Sequence, residues 1–97
     1  MTKERQIKCR AKDGVFDDES VVRVKIVDSS GNDTEAECLA YGDSVQLQGE
    51  KDDVSGEADA TLQIYCLQEK NDLAAVVLPQ STFQNGSTVI VRKSELM

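Results

Sequence analysis

The sequence predicts an all-β fold, a small antiparallel barrel or sandwich of about seven short strands in a single domain over residues 1–97. Apolar and polar residues alternate with a period of two in successive segments, and turn residues separate these segments at intervals of roughly 8 to 12 residues. No segment carries a 3.6-residue apolar stripe of helical length that competes with this alternation. The 97-residue length and the 39% hydrophobic and 30% charged content are typical of one globular domain.

The first strand is predicted over residues 6–12, where apolar and basic side chains alternate. Asp13-Gly14 follows, and this dipeptide is favoured in two-residue type I′ turns. We therefore expect Val15 and Phe16 to begin the returning strand.

The next two strands, over residues 21–27 and 34–41, are predicted to form a hairpin around Ser30. One register brings opposite charges together outside and apolar groups together inside. Its outer pairs are Lys25 with Glu35 and Arg23 with Glu37. A slip by one residue would carry two basic side chains into the core, so this register is strongly specified.

Four further strands are predicted over residues 45–48, 60–67, 73–78 and 87–92. Pro79 has no backbone N–H and is expected to end the strand over residues 73–78. Asn85-Gly86 is a turn signal before the strand over residues 87–92. A closing strand after a glycine turn resembles small barrels of the SH3-like kind. This likeness is one of architecture and indicates no family.

Residues 49–59 lack periodicity and carry five carboxylates, which predicts the longest and most mobile loop. Carboxylates are hard oxygen ligands of the kind that calcium takes, so a cation-binding or small-ligand-binding protein is our alternative function. The candidate ligands are Asp52, Asp53, Glu57 and Asp59. Their spacing departs from the twelve-residue calcium loop because Val54 stands at the third position, so a solvated charge run is favoured over a metal site.

The composition argues against an enzyme. The chain has no histidine, the commonest general base and metal ligand, and no tryptophan, and its aromatic content is two tyrosines and two phenylalanines. It has no glycine-rich phosphate-binding loop. We predict no catalytic residue and no cofactor. A minimal hydrolase with paired carboxylates is a third hypothesis, which needs carboxylates of raised pKa in a pocket.

The net charge of −7 is divided unevenly along the chain. Residues 1–12 hold five basic and one acidic residue, whereas residues 13–72 hold four basic and sixteen acidic residues. We expect the basic segment to pair with the acidic middle. An acidic chain opposes binding to nucleic acid, no apolar run is long enough to span a membrane, and the charged N-terminal segment indicates a cytoplasmic protein.

Three cysteines, Cys9, Cys38 and Cys66, lie on the apolar phase of predicted strands. Their spacing matches no zinc motif, and an odd number disfavours a disulfide framework. We predict buried, reduced and poorly reactive thiols.

Two adjacent predicted strands are apolar on both sides. Tyr65, Leu67, Ala75 and Val77 face away from the apolar residues that alternate with them. These four residues either belong to strands covered on both faces or form an exposed patch for a protein partner or a second copy in a homodimer. A non-catalytic binding or accessory module is our first hypothesis for the function.

Overall fold

The computed structural model describes residues 3–82 and 86–97, and over these residues it shows an all-β fold of seven strands. The strands are β1 (Lys3–Asp13), β2 (Glu19–Val27), β3 (Asp33–Tyr41), β4 (Val45–Leu47), β5 (Ala58–Lys70), β6 (Leu73–Thr82) and β7 (Gly86–Arg92). Two 3₁₀ turns, Gly42–Ser44 and Lys93–Glu95, complete the secondary structure. In the described part of the chain, no helix has the length and apolarity to cross a bilayer.

Five strands close into a barrel and two extra strands lie against it, which confirms the all-β prediction and selects the barrel over the sandwich. The ring runs β1–β2–β3–β6–β5 and returns to β1, while β7 lies between β6 and β2, and β4 pairs with β5. Every one of these pairings is antiparallel. Because the ring has an odd number of strands, straight strands cannot alternate in direction all the way around it. At least one strand must bend to close the ring.

The interior of the barrel is filled by side chains from the inward-facing positions of the strands. Its most enclosed large side chains are Ile7, Leu62, Ile64, Val22, Val24, Val76 and Val91, each less than 2% exposed. Leu96 packs against this core from the C-terminal segment, where it bridges to Ile7. The alternation seen in the sequence is therefore the alternation between barrel interior and surface.

Two strands, β5 and β6, contain irregular pairing. A β-bulge lies at Leu67, because Cys66 pairs with Val76 while Gln68 pairs with Ala75, the residue just before Val76. In β6, the pairing with β7 is irregular between Val77 and Thr82.

The prediction that Pro79 ends its strand is wrong, since β6 continues through it to Thr82. Pro79 falls in the irregular stretch, where its missing N–H interrupts no regular ladder. The predicted turn at Asn85-Gly86 lies partly outside the described residues, because Asn85 is not among them.

The register of the β2–β3 hairpin is confirmed, with Lys25 opposite Glu35 and Arg23 opposite Glu37. The ion pair that forms on this face is diagonal, from Arg23 Nε to Glu35 Oε2 at 3.5 Å. Diagonal neighbours on one sheet face lie within reach of long side chains. The backbone register was therefore predicted correctly, whereas the choice of charged partner depends on side-chain reach.

The connection from β1 to β2 differs from the expected two-residue turn at Asp13-Gly14. Asp13 pairs with Ser20, so the loop is longer and spans residues 14–18. Val15 and Phe16 are 88% and 69% exposed in this loop, and the prediction that they begin a strand is wrong.

Glu19 explains the longer loop, which we call the 14–18 loop. Its carbonyl accepts the Gly14 N–H at 2.9 Å, and its own N–H donates to the Phe16 carbonyl at 3.0 Å. Its side-chain Oε1 accepts the Val15 N–H at 3.0 Å, and Glu19 is only 8% exposed. Glu19 occupies an outward-facing position of β2, and it is buried because the 14–18 loop, to which it is hydrogen-bonded, covers it.

Gly14→Ala should destabilise the protein. A Cβ at this position would lie 2.5 Å from Oε1 and 2.7 Å from Cγ of Glu19, so the carboxylate must give up its hydrogen bond to Val15. We expect urea denaturation to show a loss of about 1–2 kcal/mol.

Gly49→Ala is the matched control, because nothing lies within 4 Å of its added Cβ. Its stability should change by no more than about 0.5 kcal/mol. In a double-mutant cycle, Gly14→Ala and Glu19→Ala should lose less together than the sum of their separate losses. A Gly14→Ala variant as stable as the parent would contradict the role given to Glu19.

Candidate functional site

The structure brings the four predicted patch residues together on the outer surface of β5 and β6. Tyr65 lies directly opposite Val77, and the bulge places Leu67 next to the pairing of Gln68 with Ala75. Tyr65 is 47% exposed and Leu67 is 41% exposed, while Ala75 and Val77 are half-buried. β5 and β6 thus belong to the closed barrel, and of the four outward residues Tyr65 and Leu67 are exposed while Ala75 and Val77 are partly covered.

A fifth residue, Ile90 of β7, joins this surface and was missed by the sequence reasoning. It lies opposite Ala75 and is 38% exposed. The signal was present, because Ile90 alternates with the inward residues Val89 and Val91. We call the surface formed by Tyr65, Leu67, Ala75, Val77 and Ile90 the apolar face.

A cleft of about 440 Å³ adjoins the apolar face, between the β2–β3 turn and the β5–β6 turn. Apolar residues in its lining are Val27, Leu73, Ala74, Ala75 and Ile90. Ala75 and Ile90 belong to both surfaces, so the cleft and the apolar face are continuous.

Arg92 ties together the two turns that flank this cleft. Its Nε lies 2.8 Å from Asp33 Oδ1 at the start of β3, and its Nη1 lies 3.4 Å from Asp72 Oδ2 in the β5–β6 turn. The hydrogen bond from Arg92 to Asp33 raises the pKa of the guanidinium above its usual value. The spacing between the two turns is therefore held by a charged side chain from β7.

The acidic loop is shorter than predicted and spans residues 48–57, because Ala58 and Asp59 belong to β5. Asp52 organises it: its Oδ1 accepts the N–H of Val54 at 2.7 Å and of Ser55 at 3.0 Å. The Ser55 and Val54 N–H groups hold the pKa of Asp52 below its usual value. The expected mobility of the loop stays a prediction.

Two of the proposed cation ligands instead bind arginines of the barrel wall. Arg10 and Arg23 lie directly opposite each other on β1 and β2, an arrangement of like charges that is destabilising by itself. Glu57 forms ion pairs with both arginines, and Asp59 Oδ1 lies 2.7 Å from Arg10 Nη1. The expected pairing of the basic first segment with the acidic middle is therefore present.

No group of three or more metal-ligating side chains occurs within residues 3–82 and 86–97. Among the four candidate ligands, Asp53 has no hydrogen bond or ion pair in that part of the chain. The acidic loop thus acts as a counter-charge for Arg10 and Arg23.

The three cysteines are free and buried, as predicted, with exposures of 8% for Cys9, 0% for Cys38 and 5% for Cys66. Burial raises the pKa of Cys9 to about 12, with a contribution from nearby Cys38, and raises the pKa of Cys38 to about 11. Unfolded thiols ionise near pH 8.5, so these two cysteines remain protonated in the folded chain where the unfolded chain is charged. Their contribution to stability falls as pH rises from about 8.5 towards 11.

Glu57→Gln should lower the melting temperature by a few degrees, because it removes the charge that separates Arg10 from Arg23. The effect is modest because both arginine side chains are more than a third exposed and screened by water. Asp53→Asn removes the same charge from the same loop and should leave the melting curve unchanged. Equal shifts in melting temperature for the two variants would show that stability depends on the net charge and not on the contacts of Glu57 with the arginines.

A thiol reagent should label the three cysteines only when the protein unfolds, because all three are buried and two have a strongly raised pKa. The measurement is the labelling rate at pH 8 across a urea series. It should follow the unfolded fraction. Labelling of any cysteine in the native protein at the rate of a free thiol would overturn this expectation.

Comparison with protein-family models, with curated proteins and with solved structures gave no match for this chain. The function must therefore be inferred from the chemistry and exposure of the described surfaces.

Proposed function

We propose that the protein is a non-catalytic binding module that associates with a second copy of itself through the apolar face. The observation that carries this proposal is the exposure of Tyr65, Leu67 and Ile90 on three neighbouring strands whose inward residues already fill the barrel. Aromatic and large aliphatic side chains are enriched in the buried centres of protein interfaces. A contiguous exposed patch of them on a soluble chain marks an interaction site.

The surroundings of the apolar face suit an identical partner despite the net charge of −7. Its immediate neighbours on the same strands include the uncharged residues Gln63, Gln68 and Thr88. Glu69, farther along β5, is paired with Arg5 at 3.5 Å. Charge at the rim comes from Glu4, which lies opposite Tyr65 and accepts a hydrogen bond from Gln63, and from Arg92, two residues beyond Ile90. Two copies can therefore meet at a surface whose centre is uncharged.

The size of the apolar face sets the expected affinity. A standard interface buries about 800 Å² on each partner, and three side chains that are 38–47% exposed supply only part of that area. The adjoining cleft between the two turns adds further surface. We therefore expect a reversible dimer with a dissociation constant on the order of micromolar.

Three features support a binding role over catalysis or cation binding. The chain contains no histidine, and burial raises the pKa of the Cys9 and Cys38 thiols well above neutral pH. Glu57 and Asp59 are held by arginines. These contacts favour the binding module over the cation-binding alternative, in which the same carboxylates would have to exchange arginine for metal.

Leu67→Lys should convert the dimer into a folded monomer, because it places a charge at the centre of the apolar face on a side chain that is already 41% exposed. Analytical ultracentrifugation over a concentration series measures the change, and a melting curve verifies the fold. We expect the dissociation constant to rise at least about tenfold.

Val54→Lys is the matched control, because Val54 is 97% exposed in the acidic loop, away from the apolar face. It should dimerise like the parent. Self-association through the apolar face is contradicted if the parent is monomeric at high micromolar concentration. It is equally contradicted if both lysine variants dimerise as the parent does.

A further inference from the structure

The described aromatic residues all lie outside the core. Phe16 is 69% exposed, Tyr41 is 41% exposed and Tyr65 is 47% exposed. Tyr65 belongs to the apolar face, whereas Phe16 lies in the β1–β2 loop and Tyr41 is the last residue of β3. Aromatic side chains dominate core and interface energetics, so two of them exposed at one end require an explanation of their own.

Phe16 and Tyr41 are joined through the backbone. Tyr41 lies opposite Glu19, the residue that holds the 14–18 loop, and the N–H of Gly42 donates to the Asp18 carbonyl at 3.0 Å. The loop tip and the end of β3 therefore form one continuous structure, which we call the Phe16 surface. It comprises Val15, Phe16 and Tyr41.

The Phe16 surface is held in place before any partner arrives. Its loop is fixed by the two backbone hydrogen bonds between Glu19 and residues 14 and 16, and by the carboxylate of Glu19 on the Val15 N–H. Gly14 fits closely against Glu19, which leaves no room for a larger side chain. A surface that is ordered in advance loses less conformational entropy on binding.

Acidic side chains surround the Phe16 surface. Asp17, Asp18 and Asp43 are exposed and form no ion pair within the described part of the chain. Asp13 is already paired with Lys51 at 2.6 Å, and Lys12 contributes one positive charge on the adjoining end of β1. The excess of negative charge favours a basic partner and disfavours both a second acidic copy and an anionic surface.

We infer that the Phe16 surface docks a polypeptide segment in which apolar side chains alternate with basic ones. The apolar side chains of this segment contact Val15, Phe16 and Tyr41, while its basic side chains face Asp17, Asp18 and Asp43. The site is distinct from the apolar face on β5, β6 and β7 and does not depend on self-association.

A titration with a defined probe tests this inference. The probe is a short extended peptide of alternating leucine and lysine, added to the isotope-labelled protein and followed by backbone amide chemical shifts. We expect saturable shifts in residues 13–19 and 41–44, weakened by added salt. A peptide of alternating leucine and glutamate should produce none.

Phe16→Ser should weaken peptide binding at least about tenfold without changing the melting curve, since its side chain is 69% exposed. Val54→Ser is the control, because it removes an apolar side chain that is 97% exposed beside acidic residues of the acidic loop, and it should bind like the parent. Leu67→Lys should also leave this binding unchanged.

Three results overturn the inference. The first is the absence of saturable binding to the lysine-containing peptide. The second is a shift pattern centred on the acidic loop or the apolar face. The third is equal affinity of Phe16→Ser and the parent.

Discussion

The closed barrel depends on small side chains that alternate into its interior. The lumen of a barrel narrows as the number of strands falls, and at five strands it holds no more than compact side chains. The core accordingly contains valine, isoleucine and leucine together with many alanines and three cysteines. None of the described aromatic residues enters it. Phe16 lies in a loop, and Tyr41 and Tyr65 occupy outward positions of β3 and β5, so all three are at the surface.

Closure of an odd ring also shapes the surface on which the proposed dimer rests. Antiparallel strands can complete such a ring only if a strand bends, and the bulge at Leu67 is one place where the regular ladder breaks. Two residues of β5, Leu67 and Gln68, then face the single residue Ala75. The bulge thus lies within the apolar face, at Leu67. The β5 bulge therefore belongs both to the barrel and to the proposed interaction site.

Ion pairs stabilise the barrel surface where neighbouring strands place like charges opposite each other. Arg10 and Arg23 face each other across β1 and β2, and Glu57 lies against both of them. The acidic loop therefore has a structural partner within the protein, although its composition alone suggests a ligand site. Asp17, Asp18 and Asp43, beside the 14–18 loop, form no ion pair with the other described residues, which leaves their charge for the proposed peptide.

The sequence by itself determined the number of strands, their inward phase and the β2–β3 register, whereas the structure extends β5 to Ala58–Lys70 and β6 to Leu73–Thr82. The sequence did so because a two-residue period and a one-face core leave no other arrangement of the apolar residues. It also located four residues of the apolar face, since Tyr65, Leu67, Ala75 and Val77 occupy the outward phase of adjacent strands. Two predictions from local sequence were wrong. The Asp13-Gly14 dipeptide does not form a two-residue turn, because Asp13 pairs with Ser20. Pro79 does not end β6, because it falls where the pairing with β7 is irregular.

Only the tertiary structure decided which residues from distant segments meet. It placed Ile90 beside Ala75, put Glu57 between Arg10 and Arg23, and folded the 14–18 loop over Glu19. Each of these contacts joins positions whose proximity depends on strand order, loop length or side-chain reach. A linear pattern of apolar and polar residues predicts which side of one strand is buried, but it does not predict which strands pair with it. The strand order of the closed barrel determines those pairs.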